Sequence, residues 1–308
     1  MSYAGPEFEP PRRPRRRPLT VALAALVPGA LLGWVVYEGL GGASDDGGGG
    51  PESATVRTPS ATGDAKEPHP SPTQPASSAP EAASGPLKGK VVVIDPGHNP
   101  ANFQHTAEIN AKVNIGTGYK ECDTTGTATN SGYTEAEFTL DVAHRMRTLL
   151  EKQGATVKLT QDGDRSYGPC IDERARIGNQ AEADAVVSVH ADGSGSGNRG
   201  FHVILPGAVN SGAADTRPIV GVSRDLGERI AGKFVRATGS APSNYVGDGT
   251  GLVTRKDLGG LNLSTVPKVF IECGNMRDTK DAAQLTSGAW RQQAAQGISE
   301  GIVSFLRG

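Results

Sequence analysis

Three textures of apolar and polar positions succeed one another along the chain. Pro18 to Tyr37 is a run of 20 residues without a charge. At 1.5 Å per residue that run covers about 30 Å, the hydrocarbon thickness of a bilayer. From about Gly41 to Pro86 the chain is mostly Gly, Ser, Pro, Ala and Thr, almost without large apolar residues. Such a segment buries too little surface to offset its ordering entropy, which predicts a disordered linker. From Leu87 onward, short β-branched runs alternate with helical periodicity. The runs predict strands over 90–95, 156–160, 185–190, 201–205 and 269–273. The periodic segments predict helices over 134–152, 171–183, from Ile219 through Phe234, and over 289–306. Strands alternating with helices predict an α/β domain whose largely parallel sheet is covered on both faces. The predicted organisation is a basic segment (1–17), a transmembrane signal-anchor helix (18–40), a linker (41–87) and a single domain (88–308).

Charge fixes the direction of the apolar run. Arg12, Arg13, Arg15, Arg16 and Arg17 precede it, which holds that end in the cytoplasm and places the domain outside the cell. Trp34 and Tyr37 fall where an interfacial aromatic belt would lie. Cleavage near Gly41-Gly42-Ala43 would instead secrete the protein, but a signal peptide's apolar core is usually about 7–15 residues, shorter than this run. Both readings export the domain. A formal net charge of -2 offers no field for nucleic acid. Much of the Gly and Pro (42 and 21 residues) lies in the first ninety positions, so the domain is more ordinary than the average suggests. No pair among Cys122, Cys170 and Cys273 has the CxxC spacing of a structural zinc site. In an exported domain Cys122 and Cys170 suit a disulfide that pins the long polar stretch Asn99–Tyr133, while Cys273 on a buried strand suits a packed thiol. Nothing in the sequence sets an oligomeric state.

Candidate chemistry is sought just past the end of each buried strand, because open α/β sheets bind ligands beyond the carboxyl ends of their strands. The first strand leads to Asp95-Pro96-Gly97-His98, another to His190-Ala191-Asp192, and the last to Glu272-Cys273-Gly274-Asn275. The helix near Thr134 adds a fourth group. On a wheel of about 100° per residue, Phe138, Val142, Met146, Leu149 and Leu150 lie within about 60° of Glu135. Glu135 therefore heads the buried stripe, where an unpaired carboxylate costs several kcal/mol. His98, Glu135 and His190 form a three-protein-ligand set suited to catalytic Zn²⁺, and the two histidines argue against Ca²⁺ or Mg²⁺. Glu272 is left over as general base for a zinc-activated water. His202 is a weaker ligand candidate, and His105 and His144 read as surface residues. Asp95 and Asp192 read either as residues that orient the ligands or as turn formers. Arg174 reads either as a partner for a substrate carboxylate or, the favoured reading, as structural, paired with Asp172 or Asp184.

Five blocks in order carry a family resemblance: Val93–His98, Glu135–Leu140, Arg174–Asn179, Val187–Asp192 and Val266–Asn275. They resemble the zinc-dependent N-acetylmuramoyl-L-alanine amidases of the Amidase_3 type from about Lys88 to the last residue. The resemblance implies a twisted mixed sheet of about six strands. It assigns metal ligands to His98, Glu135 and His190, and the catalytic glutamate to Glu272. It implies peptidoglycan as substrate, cut between N-acetylmuramic acid and the L-alanine of the stem peptide. Competing readings are another zinc-dependent peptidoglycan hydrolase and a catalytically restrained or inactive wall-binding or regulatory module.

Overall fold

A computed structural model describes residues 85–308. The predicted membrane helix (18–40) and nearly all of the linker lie outside the described residues. Among the described residues no helix is long and apolar enough to cross a membrane. Leu87, the last residue of the predicted linker, is fully buried and its N–H donates to the carbonyl of Gln153 at 2.9 Å, so the folded body takes it in.

The six-stranded sheet is built from β1 (Val91–Pro96), β2 (Thr156–Leu159), β3 (Ala185–Asp192), β4 (His202–Pro206), β5 (Leu252–Arg255) and β6 (Lys268–Asn275). Their order is β2-β1-β3-β6-β4-β5. Strands β2, β1, β3 and β6 are parallel; β4 runs antiparallel to β6, and β5 parallel to β4. The sheet is thus mixed and largely parallel. The apolar runs did not point to β5. It is a four-residue edge strand with no fully buried side chain, so it carries no apolar signature.

Helices cover both faces. On one side lie α1 (Glu135–Glu151), α3 (Val220–Thr238) and α6 (Gly288–Arg307). Phe138, Val142, Met146, Leu226, Ile230 and Ile298 pack there against Ile94, Val187 and Ile271. The other side carries α2 (Ile171–Gln180) and the one-turn α4 (Gly259–Asn262). A smaller cluster of Val93, Ala183 and Val186 lies there, with Ile177 and Val266 packed against it. A seven-residue α5 (Thr279–Leu285) comes after β6. Cys273 is a buried free thiol of the larger core.

The stretch Asn99–Tyr133 is ordered into a 3₁₀ turn (Asn102–Gln104), one helical turn (Thr106–Ile109) and a hairpin pairing Lys112–Asn114 with Tyr119–Glu121. A Cys122–Cys170 disulfide ties its far end to the N-cap of α2.

Candidate metal centre and active-site cavity

His98 stands just past β1, at φ +61, a left-handed conformation rare for a residue with a Cβ. Two donors hold its carbonyl there: Arg174 Nη2 at 3.1 Å and Gln161 Nε2 at 3.0 Å. Its Nδ1 meets Asp123 Oδ1 and the Thr124 carbonyl, both at 3.1 Å. That pairing fixes the ring and turns Nε2 toward Glu135 Oε2, 3.2 Å away.

Glu135 owes its place to a capping box. Thr134 Oγ1 accepts from the Glu137 N–H and Glu137 Oε2 accepts from the Thr134 N–H, so α1 begins at Glu135. The carboxylate accepts from the N–H of Thr127 (3.0 Å) and of Ala191 (3.2 Å), and Oε1 meets His190 Nδ1 at 2.9 Å. His190 stacks on Phe270, with ring centroids 5.2 Å apart and planes 16° apart. One nitrogen or oxygen from each of His98, Glu135 and His190 lies within 4.8 Å of the other two.

Two glycines make this packing feasible. A Cβ on Gly97 would sit 2.4 Å from His190 Cε1, and one on Gly126 2.7 Å from His98 Cδ2 and 2.8 Å from Glu135 Oε2. Gly126 also has φ +73. The segment 124–127 therefore closes directly over the cluster.

Glu272 arrives by register. On β6 it pairs with His190 of β3 on one side and His202 of β4 on the other. Its Oε2 is buried and has no hydrogen-bond partner among the described residues. Burial, reinforced by Glu135 and Asp192, pushes its pKa well above the usual carboxylate range. His98, Glu135, His190, Asp192, Arg255 and Glu272 line one cavity of about 290 Å³.

Behind the cluster lies a buried ion network. Asp95 accepts from Arg174 Nη1 (2.9 Å), Thr160 Oγ1 (2.6 Å), Lys268 Nζ (3.0 Å) and Ser188 Oγ. Burial raises its pKa, but Lys268 and Arg174 outweigh burial and hold it far below the usual range. Arg174 reaches on to Asp123 Oδ2 at 2.9 Å. Asp123 is opposed by burial yet held to about 2, chiefly by Arg174 and His98. Burial would lower His98, but Glu135 and Asp123 push it up to about 10. The cluster thus attracts positive charge, and a divalent cation meets the same demand with both imidazoles neutral.

The remaining sequence candidates fall into place around this frame. The partners expected for Arg174 are replaced by Asp95 and Asp123, because the helix aims it inward beneath β1 rather than along the surface. Asp95 touches neither candidate histidine and acts through Arg174. Asp192 accepts from Tyr245 O–H at 2.6 Å. His202 lies apart from the cluster and is buried, with its pKa lowered by desolvation to about 4. His105 pairs with Glu108, and His144 with Asp162. Sequence reasoning missed Asp123, Phe270 and Lys268. Phe270 and Lys268 share the period-two face of Glu272, and that signal was legible; Asp123 was marked only by its neighbour Cys122.

The sequence matches the family described as N-acetylmuramoyl-L-alanine amidase, Amidase_3, over residues 92–304. It is 39% identical over 233 residues to the N-acetylmuramoyl-L-alanine amidase Rv3717 of Mycobacterium tuberculosis, an alignment spanning 75% of this chain and 92% of that protein. Its fold is similar to the crystal structure of the amidase Ami1 from Mycobacterium smegmatis, with a TM-score of 0.65 at 38% identity over 72% of this chain and 99% of that one. Ami1 from Mycobacterium abscessus is similar with a TM-score of 0.64 at 40% identity, covering 71% of this chain and 100% of that one.

Proposed function

Since the chain belongs to the Amidase_3 family of N-acetylmuramoyl-L-alanine amidases, we propose that it hydrolyses peptidoglycan between N-acetylmuramic acid and the L-alanine of the stem peptide, using zinc and a glutamate base. The observation that carries this reading is the convergence of His98, Glu135 and His190 within 4.8 Å, with Glu272 in the same cavity. Two imidazoles and a carboxylate suit Zn²⁺ with one position left open. When bound, the ion supplies Lewis acidity to the scissile carbonyl and acidity to a water.

The chain's own residues do the rest. Asp123 holds His98 through Nδ1, which keeps Nε2 for the metal. Phe270 fixes the plane of His190 and shields it from water on one side. Glu272, raised by burial and by its acidic neighbours, is suited to accept a proton from water and return it to the departing nitrogen. Water adds its oxygen to the lactyl carbonyl carbon and the C–N bond breaks. The products are a muramic carboxylate and a stem peptide with a free L-alanine amine.

The proposal extends to location. The apolar run Pro18–Tyr37, preceded by arginines, supports a single-pass membrane anchor over 18–40 with the catalytic domain (88–308) on the cell-wall side, reached across the linker of 41–87; cleavage of the anchor would secrete the enzyme. No nucleic-acid partner is implied.

Mass spectrometry of purified peptidoglycan after incubation tests the reading. Wild-type protein with zinc releases stem peptides beginning at L-alanine, whereas chelated protein and Glu272→Ala release none. Full release by Glu272→Ala removes the glutamate base; wall binding without release by wild type removes the enzyme.

A further inference from the structure

Among the described residues lining the cavity that holds Glu272, Arg255 is the one Lys or Arg; the adjoining cavity, which shares His98 and His190, adds Arg174, whose donors are all filled, and Lys120, which is tied to Asp257. Arg255 sits at the C-terminal end of β5, on the rim, with its side chain 40% exposed. Its aim is fixed rather than free. Nε and Nη2 donate to the two oxygens of Asp257 at 2.9 and 2.6 Å, and Asp257 is held in turn by Lys120 Nζ at 3.2 Å from the hairpin. That bidentate pair uses one edge of the guanidinium. Nη1 makes no hydrogen bond among the described residues, so the other edge is free to accept a second planar anion. Arg255 lines the same cavity as Glu272 and Asp192.

The chemistry of the substrate says which anion fits. The lactyl carboxyl is consumed in the scissile amide, so the glycan side of the cut offers no carboxylate there. The peptide side does: a second residue of D-glutamate joined through its γ-carboxyl carries an α-carboxylate one residue beyond the L-alanine. A carboxylate entering this acidic cavity needs a fixed cation, and Arg255 supplies one.

We propose that Arg255 is a specificity-determining residue that binds the α-carboxylate of the second stem-peptide residue and so favours substrates in which that group is free rather than amidated. This rests on the amidase reading above.

The test uses zinc-loaded full-length protein and two substrates differing in one group, N-acetylmuramoyl-L-alanyl-D-isoglutamate and its D-isoglutamine counterpart. The expected kcat/KM ratio for wild type is about tenfold in favour of the carboxylate, as for a charge-assisted pair partly open to solvent. Arg255→Gln brings the ratio to about one. Asp257→Asn, which keeps the charge but loosens its aim, gives an intermediate ratio and reports independently should the first variant fold poorly. A wild-type ratio near one overturns the proposal. So does a ratio unchanged in Arg255→Gln, since an arginine that only balances Glu272 and Asp192 would slow both substrates alike. Cleavage of neither substrate by wild type overturns the amidase reading, and this inference with it.

Discussion

Replacing Arg174 by methionine, which has similar reach and no charge, tests whether the candidate site is held from beneath. Arg174 fills its donors completely: Nε to the Pro169 carbonyl, Nη1 to Asp95 and the Pro96 carbonyl, Nη2 to Asp123 and the His98 carbonyl. Its side chain is 6% exposed. Asp95 keeps Lys268, Thr160 and Ser188 after the change, but Asp123 keeps only His98 and the Thr124 N–H. Removing one partner of a buried pair costs about 3–5 kcal/mol, because the charge left behind stays desolvated. For a domain of this size that lowers the melting temperature by roughly 10 °C. Zinc affinity falls about 10- to 100-fold, because the backbone of His98 and the carboxylate orienting its ring both lose a tie. Urea unfolding and zinc titration read the two effects. A loss below about 1 kcal/mol with unchanged zinc affinity would show that the network does not hold the site. Arg174→Lys keeps the charge but not the fork, and falls between the two.

Two further expectations concern stability. Cys122 and Cys170 are 48 residues apart, so a Cys122→Ser, Cys170→Ser protein loses up to about 4 kcal/mol by loop-closure entropy, and amide exchange rises first in 99–133. Unchanged exchange there would mean that packing alone orders the segment. Asp123 has a folded pKa of about 2 against an ordinary 3.8. A depressed acid contributes stability above its unfolded pKa and loses it as pH falls through the folded one. In metal-free protein about 2 kcal/mol should therefore vanish between pH ~4 and ~2, and Asp123→Asn should flatten that slope. An equal slope in both proteins would assign the acid transition to other carboxylates.

Much of this protein could be read from its sequence because two local rules were enough. Among the described residues, period-two and period-3.6 patterns located five of the six strands of the main sheet and the four long helices, and the strand ends pointed to His98, His190 and Glu272. The helical wheel picked out Glu135, since a carboxylate at the centre of an apolar stripe must have a partner. The resemblance to the amidases rests on the same blocks. Other features depended on sheet order and on a long excursion folding back. The register of β6 between β3 and β4 sets Glu272 beside His190, and no local pattern encodes which strands pair. Asp123 reaches His98 from a long excursion whose end is tied back by the Cys122–Cys170 bond and by Arg174, and Arg174 meets both aspartates because α2 packs beneath β1. Arg255 enters the cavity from an edge strand too short and too exposed to show an apolar signature. Local patterns record which face of an element is buried. The partners that meet there are decided by long-range packing, where charges separated by scores of residues are desolvated together and must satisfy one another.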